Sequence, residues 1–420
     1  MTENNKDDNK NIFVQFLEWC KRTFLHPTTF LFIIFFLLIS YLINLKIKKN
    51  IININDYRRD FSIVKLNDES YLFSGGNSPY IYIDNKIQKR KMNQFKDLQT
   101  ITNTSEIFST ISKKTEYTMP LNFRRRGHSS IILKDRNVLI AGGSGFVFDR
   151  TKNEYQYYDF IPFIEIYNPK TKIWKKSQIK LQERLSGITS LEQLQDGSIF
   201  IFARGKYEIY NPNTDSIVKQ GICPYENNHL NTAHLLPDER VLICGSIYIN
   251  NKEKSCIFYN PKTDKFSIGP NMVQNLLPAK KIILNNGNFL FIPDTKSISS
   301  TLQIYNIKEN KFEFAGNLQK KRISPKAVLL PSGKVFFADG DIDTYRGLFI
   351  PFYKEKITCE IYNPNTKLSE YTNKCFSEKI DNNLLIDKNN IYAYYMKPYP
   401  EYQSITRKGQ IEVLKMEEFR

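Results

Sequence analysis

EIYNPKTKIW, residues 165–174, returns along the chain as EIYNPNTDSI at 208–217, IFYNPKTDKF at 257–266, QIYNIKENKF at 303–312 and EIYNPNTKLS at 360–369. A catalytic motif is needed once, whereas a motif repeated at intervals is architecture. The marks Tyr167, Tyr210, Tyr259, Tyr305 and Tyr362 stand 43, 49, 46 and 57 residues apart. A weaker copy, SEIFSTISKKTEYT at 105–118, puts Phe108 in the same place, and GQIEVLKMEEF at 409–419 is a shortened one. Periods of ~40–50 residues, each with several short strands, are the signature of a β-propeller.

Each unit parses into four strands. In the second unit these are SSIIL (129–133), NVLIAGG (137–143), FIEIY (163–167) and KIWKK (172–176). Asn suits the first position of a type I turn and Pro presets φ for the second. The Tyr therefore ends the third strand, NPxT turns the chain, and a bulky residue seven on (Trp174, Ile217, Phe266 or Phe312) begins the fourth. The first strands elsewhere are FSIVKL, GITSLEQL, NTAHLL, PAKKIIL, SPKAVLL and DNNLLI, each followed by a polar turn and a second apolar strand. The plan fits seven times over 58–420. IININ, 51–55, alternates as a strand does and is positioned to supply the outer strand of the last blade.

RRRGHSS…VLIAGG…IEIYNPKT…W in the second unit resembles the kelch repeat, also found in the propeller of galactose-oxidase-like proteins. Paired glycines recur at Gly75-Gly76 and Gly142-Gly143, and a Trp at Trp174. The resemblance implies an all-β, seven-bladed kelch-type β-propeller.

Ahead of it lies FLFIIFFLLISYLINL, 30–45. With Leu25 to Thr29 it is long enough to cross a ~30 Å hydrocarbon core. LKIKKNII follows without a small-residue cleavage site, so a single uncleaved transmembrane α-helix is expected. The organisation is a polar tail with a short amphipathic helix (1–24), the anchor (25–46), a linker or closure strand (47–57) and the propeller (58–420). Counting the flanking positive charges leans slightly towards a cytoplasmic body, whereas a short N-terminal tail before a single anchor is the common layout of an exported body; orientation is open, with export favoured. Of six cysteines, Cys244 and Cys256 fall on neighbouring strands, as a bridge or as two buried thiols. The formal charge of +17 is spread along the chain without a basic arm, which argues against nucleic acid.

Chemistry is sparse. A galactose-oxidase-like copper site, as the resemblance implies, needs two histidines among its ligands. Of the four here, His26 lies in the anchor region, His128 precedes a first strand, and His229 and His234 share one blade. No copper, other metal or cofactor is expected. DGDID, 339–343, is a polar turn rather than a calcium loop. No Ser/His/Asp set, P-loop or HExxH occurs, so no catalytic residue is named.

The unequal parts are the second-to-third loops, which are long in blades six, seven, one and two, contiguous in a seven-membered ring. They carry Tyr80, Tyr82, Arg90, Phe148, Arg150, Tyr157, Tyr158, Phe160, Arg346, Phe349, Tyr353, Tyr399, Tyr402 and Arg407, with Arg124, Arg125, Arg126 and Arg322 in the blade links. Tyr and Arg are enriched at binding hot spots. Arg90, Arg150, Tyr158, Arg346, Tyr353, Tyr399 and Arg407 are the ligand-face candidates, for a protein or anionic-glycan partner. The expectation is a membrane-anchored binding module; the alternative is a carbohydrate-active propeller enzyme, sugar epimerase-like or copper oxidase-like.

Overall fold

The computed structural model describes Phe35, Leu38 and residues 51–83, 86–89, 100–149, 151–182, 190–227, 232–249, 252–274, 278–293, 299–340, 357–381, 383–396 and 409–419. The chain divides into two compact units, Met1–Ile51 and Ile52–Arg420. In the first, Phe35 and Leu38 are helical and exposed. The remainder of the expected anchor lies outside the described residues, and among those described no helix is long and apolar enough to cross a membrane.

The second unit is all-β. Among the described residues, seven sheets each hold a run of four antiparallel strands. The second sheet shows the plan: Ser129–Ile132, Val138–Ala141, Phe163–Asn168 and Ile173–Lys180, side by side in chain order. The YNPxT stretch is the expected hairpin connection. Tyr167 faces Trp174 across it, as Tyr210 faces Ile217, Tyr259 faces Phe266 and Tyr305 faces Phe312. The Asn side chain builds the turn: Oδ1 of Asn168 accepts from the Lys170 and Thr171 amides, and Asn211 and Asn260 repeat this. The residue five after the Tyr takes a left-handed backbone, φ 58° at Lys172, 49° at Asp215, 56° at Asp264 and 52° at Asn310. Where it is Asp or Asn it also accepts the Tyr hydroxyl, at 2.9 Å for Asp215, 2.7 Å for Asp264 and 2.6 Å for Asn310.

Second strands are buried along their whole length at Val138–Ala141, Ile199–Ala203 and Val335–Ala338. Each lies between two neighbouring sheets, so the apolar run is continuous rather than alternating. Among the described residues the core is not one mass but seven clusters, each shared by two consecutive sheets. Leu72 and Val138 meet in one, Leu139 and Ile199 in the next, Phe200 and Val241 in the third. Leu242 joins Phe289, Leu290 joins Val335, and Phe336 joins Ile391. The seventh unites Phe73 and Phe108 of the first sheet with Tyr392 and Ile411 of the last, closing the cycle into a propeller-like ring. The last sheet is composite. Leu384–Ile386, Asn390–Met396 and Gly409–Lys415 come from the end of the chain, and Ile51–Asn53 pairs outside them.

Cys244 and Cys256 face each other across adjacent strands and are disulfide-bonded, as are Cys359 and Cys375. Cys223 is free and buried.

Candidate functional site

The scaffold beneath the candidate loops is set by a device that pattern reading of the sequence passed over. Two residues before four of the five marker tyrosines stands a buried Glu or Gln, Glu165, Glu208, Gln303 and Glu360, with Glu106 before Phe108; before Tyr259 the place is taken by buried Ile257. Each holds the link that enters its own sheet. Glu165 accepts from the Asn122 side chain at 2.9 Å, Glu208 from the Gln182 amide at 3.0 Å, and Glu360 from the Gln319 amide at 2.6 Å. Among the described residues, the links of three sheets add a fully buried arginine. Arg58 bonds Glu106, Arg125 bonds Glu165 at 2.9 Å, and Arg322 bonds Glu360 at 2.7 Å.

The same guanidinium groups explain the paired glycines. Arg58, Arg125 and Arg322 donate to the carbonyls of Gly75, Gly142 and Asp339 at the ends of the second strands. The second residue of each doublet abuts the link: a Cβ on Gly143, at φ +76°, would sit 2.4 Å from the Arg126 carbonyl oxygen. Asp339-Gly340 takes the doublet's place in the sixth sheet, with φ of 62° and 74°. Asp339 is buried there and caps the Ile380 amide; residues 341–343 lie outside the description.

Arg125 and Arg322 therefore leave the ligand face on which they were expected. Strand alternation turns the middle of the three arginines inward, and its charge is spent on Glu165. Phe160 is likewise a core residue, packed with Leu139 and Ile164. Arg90, Arg150, Arg346, Tyr353, Tyr399 and Arg407 lie outside the described residues. Tyr158 is described: it is half-buried opposite Gly145, and its hydroxyl reaches Gln156 at 3.3 Å.

Parts of two of the expected loops are described, residues 77–83, 86–89 and 100–104 of one and 144–149 and 151–162 of the other, and they meet. The first-sheet loop carries the hairpin Tyr80–Ile83/Lys86–Lys89. The second-sheet loop is a longer hairpin, Ser144–Asp149 with Glu154–Tyr158, to which Arg124–Arg126 adds a third strand. Arg126 joins the two, donating to Ser144 at 3.3 Å and to Asn77 at 3.5 Å. Register puts Arg124, Phe146 and Tyr157 in one row, with Phe148 and Tyr155 beside it on the same face. Phe148 and Tyr155 are 44% and 47% exposed, and the Arg124 guanidinium lies 3.8 Å over the Tyr155 ring. This is an aromatic and cationic surface. Tyr155 was not foreseen; hairpin pairing with Phe148 at period two was the signal for it.

The two described histidines are structural in their surroundings. Burial, with help from Arg125, pushes His128 down to about 3, and its Nε2 meets Ser74 at 3.1 Å. Burial also pushes His234 down to about 4; it packs on Phe291, beside Glu192 and Lys281. His26 and His229 lie outside the described residues. No group of His, Cys, Asp and Glu among the described residues could hold a metal ion.

Fold and surface together define an all-β, propeller-like protein. No family description matches the chain, and no curated protein does. Among solved structures it is similar to selenomethionine-substituted virginiamycin B lyase from Staphylococcus aureus, at 9% identity and a TM-score of 0.48, over 87% of this chain and 98% of that one. At that distance the likeness bears on no question of function.

Proposed function

We propose that the protein is a membrane-anchored, seven-bladed kelch-type propeller that binds a partner through loops of blades six, seven, one and two. The observation that carries this is the surface on which the Arg124 guanidinium covers the exposed Tyr155 ring beside exposed Phe148. Hot spots of binding surfaces are rich in such residues. Seven sheets of four strands, and paired positive-φ residues met by a link arginine, support the kelch reading. The apolar run 30–45 supports the anchor. Two disulfides favour a body in an oxidising compartment, hence export. The basic content of the loops favours an anionic glycan or an acidic protein segment.

The test uses the full chain in detergent, with a sulfated glycan and a polyglutamate peptide as probes. Replacing Arg150, Arg346 and Arg407 together by Glu abolishes capture of the preferred probe and leaves the melting temperature unchanged. Capture that survives the triple change removes the crescent as the binding surface.

A further inference from the structure

The three buried arginine sites are not equivalent. At the second and sixth sheets one guanidinium faces one carboxylate, Arg125 with Glu165 and Arg322 with Glu360. At the first sheet one guanidinium serves two. Arg58 lies 3.0 Å from Asp56 and 3.2 Å from Glu106, and all three side chains are fully buried. With both acids ionised the site carries an uncompensated negative charge.

Support for the two acids is also unequal. Asp56 accepts hydroxyls from Ser78 at 2.5 Å and Thr104 at 3.2 Å. Glu360, the counterpart of Glu106, accepts from the Gln319 amide and the Ser369 hydroxyl. Oε2 of Glu106 has the Thr115 hydroxyl in its neighbourhood but no well-formed hydrogen bond among the described residues. A buried carboxylate so placed is stabilised by taking up a proton. Burial first, and then the charge of Asp56, raises Glu106 to about 7, against the pull of Arg58; Asp56 is raised as well, chiefly by burial.

The site sits on the seam of the ring. Asp56 and Arg58 belong to the link between the outer strand of the last sheet and the inner strand of the first. The Tyr394 hydroxyl, from the last sheet, accepts from the Arg58 amide at 2.5 Å and donates to its carbonyl at 3.0 Å. Ser78 connects Asp56 onward to the Tyr80 amide at 2.9 Å, in the first-sheet loop. The other titratable groups facing the pair are Tyr117, Tyr80 and Tyr394, all raised by burial and so neutral, with Asp381 acting on Tyr394 from behind. Asp60 and Arg126 meet one layer out, through Asn77.

We infer that Asp56 and Glu106 share one proton, and that its loss loosens the seam together with the loop that hangs from Ser78. In the unfolded chain Glu106 releases its proton near the ordinary value of 4.5, and in the folded ring near 7. The folded state binds the extra proton between these values, so seam stability falls as pH rises through that window and is level above it.

The experiment is amide hydrogen exchange on the full chain in detergent, corrected for intrinsic rates, at about pH 5.5 and about pH 8. The reporters are Ile54 (to Gly409), Arg59 (to Asn77) and Ser78 (to Thr100), with Val241–Cys244 in the fourth sheet as reference. Seam amides lose protection by about tenfold or more at the higher pH, while the reference does not. In Glu106→Gln the difference disappears. If that variant does not fold, Asp56→Asn restores one carboxylate per guanidinium and removes the difference equally. Equal pH dependence of seam and reference, or a seam effect that persists in the variants, overturns the inference. Neither readout involves a ligand.

Discussion

Replacing Arg322 by Leu tests the view that in the sheets that have one, a buried link arginine, not sheet hydrogen bonds alone, holds the sheet to its entering link. The guanidinium of Arg322 bonds Glu360 at 2.7 and 3.0 Å, the Asp339 carbonyl at 2.7 Å, and the Thr358 carbonyl and hydroxyl at 3.2 and 2.9 Å. Leu leaves these acceptors and one carboxylate in a site with no exposure. Breaking a buried pair from one side costs about 3–5 kcal/mol. Glu360 keeps the Gln319 amide and the Ser369 hydroxyl, which places the loss at the lower end, about 3–4 kcal/mol. For the unit Ile52–Arg420, unfolding entropy at roughly 2.1 cal/mol/K per residue comes to about 0.8 kcal/mol/K. The melting temperature therefore falls by about 4–5 °C, read by scanning calorimetry at neutral pH. Adding Glu360→Gln removes the stranded charge, so the double variant melts above the single one. A single variant within about 1 °C of wild type, or a double variant no better than the single, refutes the reasoning.

Three further outcomes are expected. Gly143→Ala loses about 2 kcal/mol or more, because its Cβ would meet the Arg126 carbonyl at 2.4 Å on a left-handed backbone; equilibrium denaturation reads it. Asp264→Ala costs about 1–3 kcal/mol, since two buried tyrosine hydroxyls, of Tyr259 and Tyr207, lose their acceptor at 2.7 and 2.8 Å. Hydrogen bonds from those hydroxyls hold the Asp264 carboxyl below its usual range, so its contribution is present above about pH 4 and is lost as pH falls through the lowered value; a stability–pH profile of Asp264→Asn lacks that acid limb. Cys359→Ser with Cys375→Ser costs about 3 kcal/mol, the value for closing a loop of about 15 residues, read by equilibrium denaturation without reductant.

What the sequence disclosed was local chemistry. Asn-Pro turns act within four residues, so Tyr167, Asn168 and Trp174 announce their hairpin in the letters themselves. The Glu of EIY was equally visible, but its meaning lies 43 residues away at Asn122, in a link whose approach no local pattern records. Asp339 hid a doublet position because the arginine there needs a carbonyl oxygen, which any residue has. Three consecutive arginines looked like a basic patch until strand alternation sent Arg125 inward. Of the seven candidate site residues, only Tyr158 falls among the described ones. The neighbouring surface carries Phe148 and Tyr155, both more exposed than Tyr158.

The composite last sheet also sets the order in which the molecule can be made. Asn53 bonds Gln410, a partner synthesised 357 residues later. The other six sheets can assemble in succession behind a growing chain, but Ile52 and Ile54 have no completed core until residues 409–415 exist. Closing so large a loop adds little to its entropy cost, yet it makes the meeting of the two ends the final event of folding. A premature stop just before residue 409 would remove few residues and leave every preceding sheet intact, while leaving the N-terminal strand exposed as an unpaired edge.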